Sequence, residues 1–143
     1  MKSPEGRECS TFLRHGKIAL SGQKTTKLYF LNPAERTVEQ IEVDGCAITE
    51  GMRCDWLVRL NDAVSTEEIY VELKGSAVYH GVDQLRCIVE RLSADMARLS
   101  KRCFIVFNRN PMTGTDVQKY KVQFRRMFNS YFALVKNEAE ISL

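Results

Sequence analysis

The feature that most constrains this chain is a stripe of seven apolar residues, Val78, Val82, Leu85, Val89, Leu92, Met96 and Leu99, spaced alternately by four and three. That spacing puts all of them on one face of a long helix over residues 78–99. A β-prone run, residues 69–74, stands immediately before it and ends at Gly75, and a nearly continuous apolar run, residues 102–107, follows it. A strand, a long helix and a second buried strand in succession predict a crossover unit, because parallel strands need a connection of about a dozen residues or more.

The elements on either side extend the pattern. Residues 54–60 read as a strand, and polar residues 61–65 turn the chain into 69–74 as a hairpin. Upstream, residues 27–31 and 37–43 are β-prone runs divided by Asn32-Pro33 and are expected to pair antiparallel, with Asp44-Gly45 turning the chain into a further short strand at 46–48. Residues 7–20 read as a short helix or an irregular lead-in. Downstream, Asn110-Pro111 marks a loop, and Thr115 with Gln118 resembles a capping box. The stripe Val117, Tyr120, Phe124, Met127 and Tyr131 predicts a second amphipathic helix. A last strand is expected at 133–135 or 140–143. The fold class is therefore α/β, a mixed central sheet flanked by helices.

At 143 residues, 44% of them apolar, the chain is the length of one domain with one core, so residues 1–143 are read as a single unit. No apolar run nears the ~20 residues that cross a bilayer, and residues 1–10 are too polar for a signal peptide, so a cytoplasmic location with no membrane partner is expected. The five cysteines show no C-x-x-C spacing, and three sit in or beside apolar runs, which favours free thiols over a zinc site or a disulfide framework. A net charge of +3 is compatible with a polyanionic partner without requiring one.

The residues that carry chemistry cluster around the hairpin. Alternation along a strand sends Glu72 and Lys74 to one side and Val71 and Leu73 to the other. Asp55 opens the previous strand, with Trp56 turned into the core, and the hairpin can bring its carboxylate beside Glu72. Glu-x-Lys alone is common on solvated strand faces as a weak ion pair. Its weight here comes from context: it ends an apolar strand, follows an Asp opening the strand before, and is succeeded by Gly75 and a long helix. Gly75 lets the chain turn into that helix and a substrate backbone approach Lys74. Two hard oxygen ligands beside a cation suit phosphodiester hydrolysis with Mg²⁺ (or Mn²⁺) held by Asp55 and Glu72. Lys74 would orient the attacking water, act on it as a base, or neutralise developing charge.

These segments, Cys54-Asp55-Trp56-Leu57-Val58 and Val71-Glu72-Leu73-Lys74-Gly75 with the crossover that follows, resemble the PD-(D/E)XK nuclease superfamily over roughly residues 38–107. The resemblance implies a restriction-endonuclease-like core and divalent-metal nuclease activity on DNA, less often RNA, with catalytic residues Asp55, Glu72 and Lys74. It also implies a role for Gln84, since related nucleases often place a Gln on this helix near the site, and a homodimer, the assembly by which small nucleases often reach both strands. Many members add an acidic residue from an N-terminal helix. Glu8 is the candidate if residues 5–20 are helical, with Glu50 and Asp44 as loop alternatives.

His80 lies one turn before Gln84 and is expected to be solvated. Lys119, Lys121, Arg125 and Arg126 on the last helix, with Lys101 and Arg102, are candidates for a phosphate-binding surface, though a solvated helix face explains them equally. Tyr120, Phe124 and Tyr131 follow the stripe and are read as core. The rival function is a non-catalytic module that keeps the fold to bind nucleic acid or protein. A further rival makes the chain a subunit of some assembly with a decorative ion pair.

Overall fold

The computed structural model describes residues 1–22 and 26–143. Its elements are β1 (Ser10–Leu13), β2 (Lys17–Ser21), β3 (Lys27–Leu31), β4 (Val38–Glu42), β5 (Trp56–Asn61), β6 (Thr66–Gly75), α1 (Val78–Leu92), β7 (Lys101–Phe107), α2 (Gly114–Phe128), β8 (Ser130–Lys136) and β9 (Ala139–Ser142). Six strands form one sheet in the order β1-β4-β5-β6-β7-β8, antiparallel as far as β6 and parallel from β6 to β8. The central sheet is mixed, as its sequence pattern requires, and α1 and α2 are the two crossovers.

Both helices pack on the same face, where Val82, Leu85, Ile88, Phe124 and Phe128 share one core with Tyr70, Ile105 and Phe132. The other face is covered by a small sheet, β2-β3-β9, whose Leu20, Leu28 and Phe30 pack on Val58, Val71, Leu73 and Val106. Strand β6 therefore has no solvent face over its central residues: Ile69, Val71 and Leu73 serve one core, and Tyr70 the other.

Several sequence expectations are corrected. Residues 10–13 and 17–21 are strands, neither helix nor irregular lead-in. Strands β3 and β4 do not pair. β3 joins β2 and β9 in the small sheet, and β4 lies between β1 and β5, because Asn32 turns the chain between layers by bonding His15 O and Arg36 O. Residues 46–48 form a turn with one bridge, Asp44 to Ile48. The 133–135 and 140–143 alternatives both fall on strands, β8 and β9. Trp56 points to the small-sheet core as expected but stays half-buried, its indole Nε1 donating to Ser21 O at 3.0 Å. Cys9 and Cys46 form a disulfide, whereas Cys54, Cys87 and Cys103 are free. Sequence spacing carries no sign of that pairing, since β1 and the turn after β4 meet only through the sheet.

The first helix stops at Leu92, seven residues short of the apolar stripe's end at Leu99. Buried Glu68 accepts from Ser93 Oγ at 2.6 Å and from the Ala94 N–H at 3.0 Å, which draws the chain out of the helix. Buried Lys101 then donates to the carbonyls of Asp95, Met96, Leu99 and Phe128, all within 3.0 Å. These backbone bonds offer residues 93–99 an alternative to another helical turn, and Met96 ends 42% exposed. Lys101 is thus a structural ammonium buried away from any phosphate surface, and Arg102 is held by Glu67 in a two-point pair. The second helix is capped by Thr113, which accepts from Asp116 N, two residues before the expected Thr115. Met127 and Tyr131 lie outside the core at 43% and 46% exposure.

The two halves of the stripe should therefore respond differently to truncation. Leu85→Ala is expected to cost about 2–5 kcal/mol through lost burial and a cavity, whereas Met96→Ala should stay within about 0.5 kcal/mol. Urea unfolding midpoints check both, and a large loss at Met96 would mean its surface is covered in solution.

Candidate active site

Strand register carries Asp55 to Glu72. Trp56 stands opposite Val71, and Asp55, one residue earlier, donates its N–H to Val71 O at 3.2 Å and accepts from Val43 N at 3.1 Å. Trp56 packs toward the small sheet, so alternation turns Asp55 toward the helix side, the side of Glu72. Its Oδ2 accepts the Leu73 N–H at 2.8 Å, which fixes the carboxylate at the end of β6.

Glu72 is 3% exposed, and its Oε1 lies 3.8 Å from Lys74 Nζ. Its Oε2 receives no hydrogen bond from any donor among the described residues. The Asp55 carboxylate is close enough that a proton shared between the two acids is the hydrogen bond Glu72 can make. Burial, then Asp55, pushes the Glu72 carboxyl up to about 9, against a smaller opposing effect of Lys74. Burial, then the same carboxylates, pushes the neighbouring Cys54 thiol well above its ordinary range.

The first turn of α1 closes over this pair. Gly81 is where the helix touches: a Cβ there would meet Ile105 Cδ1 and Lys74 Cγ at 3.2 Å. The parallel strand β6 ends beneath α1, and a pocket of about 390 Å³ opens there, lined by Asp55, Glu72 and Lys74. His80 and Gln84 line it from the helix, the former exposed and the latter half-buried. Gln84 Nε2 donates to Arg53 O at 2.8 Å, while its buried Oε1 has no partner among the described residues.

Of the candidate extra acids, only Asp44 lines the pocket. Glu8 instead accepts from the N-terminal ammonium and from the N–H groups of Cys9 and Ser10, because residues 5–20 form no helix to carry it to the site. Glu50 lines a separate cleft with Arg91. Among the described residues no three His, Cys, Asp or Glu side chains form a ready ion-binding group. Asp55 and Glu72 bring two carboxylates to the pocket, and Mg²⁺ is commonly held by one or two carboxylates with water in its remaining positions.

Lys119, Lys121, Arg125 and Arg126 lie along α2, outside the pocket. Lys119 Nζ sits 5.5 Å from the Tyr120 ring centroid, Arg125 bonds Asn129 at 3.5 Å, and Lys119, Arg125 and Arg126 are exposed. Sequence reasoning passed over Arg53, which lines the pocket two residues before Asp55 and donates its Nε to Asp44 Oδ1 at 2.6 Å. A lone arginine in a loop carries no periodic signal that would have singled it out.

No protein-family model, no curated protein and no solved structure matches this chain.

Proposed function

We propose that this chain is a divalent-metal-dependent nuclease of the PD-(D/E)XK type, a DNA endonuclease with a restriction-endonuclease-like core. The observation that carries the proposal is the unpaired, buried Glu72 Oε2 beside the Asp55 carboxylate at the mouth of a polar pocket. A buried carboxyl oxygen that no protein donor reaches costs stability, and such burial persists most readily where a cation can take the place of the proton. The topology agrees: an antiparallel β5-β6 hairpin followed by the parallel β6-α1-β7 crossover.

Asp55 and Glu72 would hold Mg²⁺ or Mn²⁺, and the bound ion would supply a Lewis acid and a water of lowered pKa. Lys74, held against Glu72, is positioned to stabilise negative charge developing on the phosphate. Gln84 Oε1, an unused acceptor on the pocket wall, would take a hydrogen bond from the attacking water. The α2 residues Lys119, Lys121, Arg125 and Arg126 would track the DNA backbone away from the reacting phosphate. A homodimer would bring a second site to the opposite strand, and the expected setting is the cytoplasm.

The test is thermal denaturation with and without Mg²⁺ or Mn²⁺, followed by incubation with plasmid, linear, branched and single-stranded substrates. At an ion concentration about a hundredfold above Kd, stabilisation of about 2.7 kcal/mol is expected, and it should vanish in Glu72→Ala. Binding of nucleic acid with no ion-induced shift and no cleavage of any substrate would assign the non-catalytic module instead.

A further inference from the structure

Asp44 and Arg53 belong to the same pocket, and their mutual geometry sets what each can do. Arg53 Nε donates to Asp44 Oδ1 at 2.6 Å, and its Nη1 donates to Gly51 O at 2.9 Å. Its own carbonyl is held by Gln84 from α1. The residue is thus fixed at its backbone and along one edge of its guanidinium. No bond from Nη2 is found among the described residues, which leaves that amino group available at the pocket Arg53 lines. Half-exposed ion pairs add little stability, so the main consequence of the Asp44 contact is orientation. A carboxylate gripping a guanidinium at 2.6 Å is also poorly placed to ligate an ion.

We propose that Arg53, oriented by Asp44, anchors a backbone phosphate of the nucleic acid beside the scissile bond, and that Asp44 is a positioning residue and not a metal ligand. This rests on the nuclease reading above and names the phosphate contact within that site. The other cation close to the acids, Lys74, is engaged with Glu72, so a polyanion entering the pocket needs a second positive group. An arginine fork suits a phosphate, because its planar N–H donors meet two phosphate oxygens at once.

The experiment uses the full chain as wild type, Arg53→Ala, Arg53→Lys and Asp44→Asn. Fluorescence anisotropy follows a short labelled DNA duplex and its single strand, with Ca²⁺ replacing Mg²⁺ to suppress hydrolysis, over a salt series. Calorimetry follows Mn²⁺ binding without DNA. Arg53→Ala should weaken DNA binding about 10- to 100-fold and lower the slope of log affinity against log salt by about one. Its Mn²⁺ affinity should stay within about twofold of wild type, since no ion ligand is removed. Arg53→Lys should keep the wild-type salt slope and recover part of the affinity, because the charge remains while the fork is lost. Asp44→Asn should keep Mn²⁺ affinity and weaken DNA binding less than Arg53→Ala.

Wild-type DNA affinity and salt slope in Arg53→Ala would overturn the phosphate contact. A loss of Mn²⁺ affinity of about tenfold or more in Asp44→Asn would make Asp44 a ligand and overturn its positioning role. Absence of DNA binding by the wild type, with Mn²⁺ still bound, would remove the nuclease reading and this contact together. Either earlier result leaves that reading standing.

Discussion

Replacing Glu72 with glutamine is expected to stabilise the metal-free protein at about pH 8 by on the order of 3 kcal/mol. The cause is the buried carboxyl itself, whose titration in the fold is pushed from the ordinary 4.5 up to about 9 by burial and by Asp55. Between those values the folded chain holds a proton that the unfolded chain has released. The stabilising contribution of Glu72 is therefore complete below about pH 4.5, declines as pH rises, and levels off above about pH 9. Glutamine has the same shape and no proton to lose, so the variant's stability should lack this slope. The two proteins should converge toward pH 5 and diverge toward pH 9 in chemical denaturation without metal. Saturating Mg²⁺ should narrow or reverse the gap, because the ion stabilises only the chain that still has its ligand. Parallel stability curves from about pH 5 to 9 would show that Glu72 is ionised and satisfied in the free protein, and would remove the main support for an ion at this position.

Lys74→Ala is expected to lower cleavage by roughly 10²–10³, the usual cost of one preorganised transition-state contact, while leaving metal binding and the fold nearly intact. Glu72→Ala should remove both cleavage and metal affinity. Glu72 supplies an anionic oxygen to the ion, whereas Lys74 repels the ion in the ground state and acts on charge that appears during attack. Deleting the ammonium 3.8 Å from Glu72 Oε1 should even tighten metal binding slightly. Calorimetric titration with Mg²⁺ or Mn²⁺ and a cleavage time course separate the two variants. Unchanged cleavage by Lys74→Ala would make the Glu-x-Lys pair decorative and shift the function toward a binding module.

The crossover was legible because strand alternation and helical spacing are local properties, and residues 69–107 obey both almost to the end. The early stop of α1 was not, because it depends on Glu68 and Lys101, two charged residues that look solvated in sequence and are 1% exposed in the fold. Several of their partners lie in residues 93–99, the Ser93 hydroxyl and backbone groups of residues 94–99, and no periodicity announces such bonds. The second sheet was missed for a related reason. β2 and β3 alternate, but alternation states which residues are buried, not which of two layers buries them, and β4 buries Val38 in one core and Ile41 in the other. At the site, Asp55, Glu72, Lys74 and Gln84 are brought together as their positions just before β5, on β6 and on α1 imply. Asp44 and Arg53 join them through a loop, where sequence spacing maps poorly onto distance, and the Cys9–Cys46 bond beneath that loop was hidden by the same long-range geometry.

A strand buried on both sides gives the pocket two mechanically different walls. Glu72 stands on β6, whose neighbours are locked into one core through Tyr70 and the other through Val71 and Leu73, so the carboxylate cannot shift without disturbing both. Asp44, exposed, and Arg53, half-buried, stand on a connecting loop that is anchored in the helix-side core through Val43, Cys46, Ile48 and Cys54 and tied by a few hydrogen bonds and one disulfide. In the proposed nuclease the acids on β6 would be a fixed anvil, and accommodation to substrates of different shape would come from the side chains of the opposite wall. Changes in substrate preference within this architecture would be found in residues 43–55, while β6 stays put.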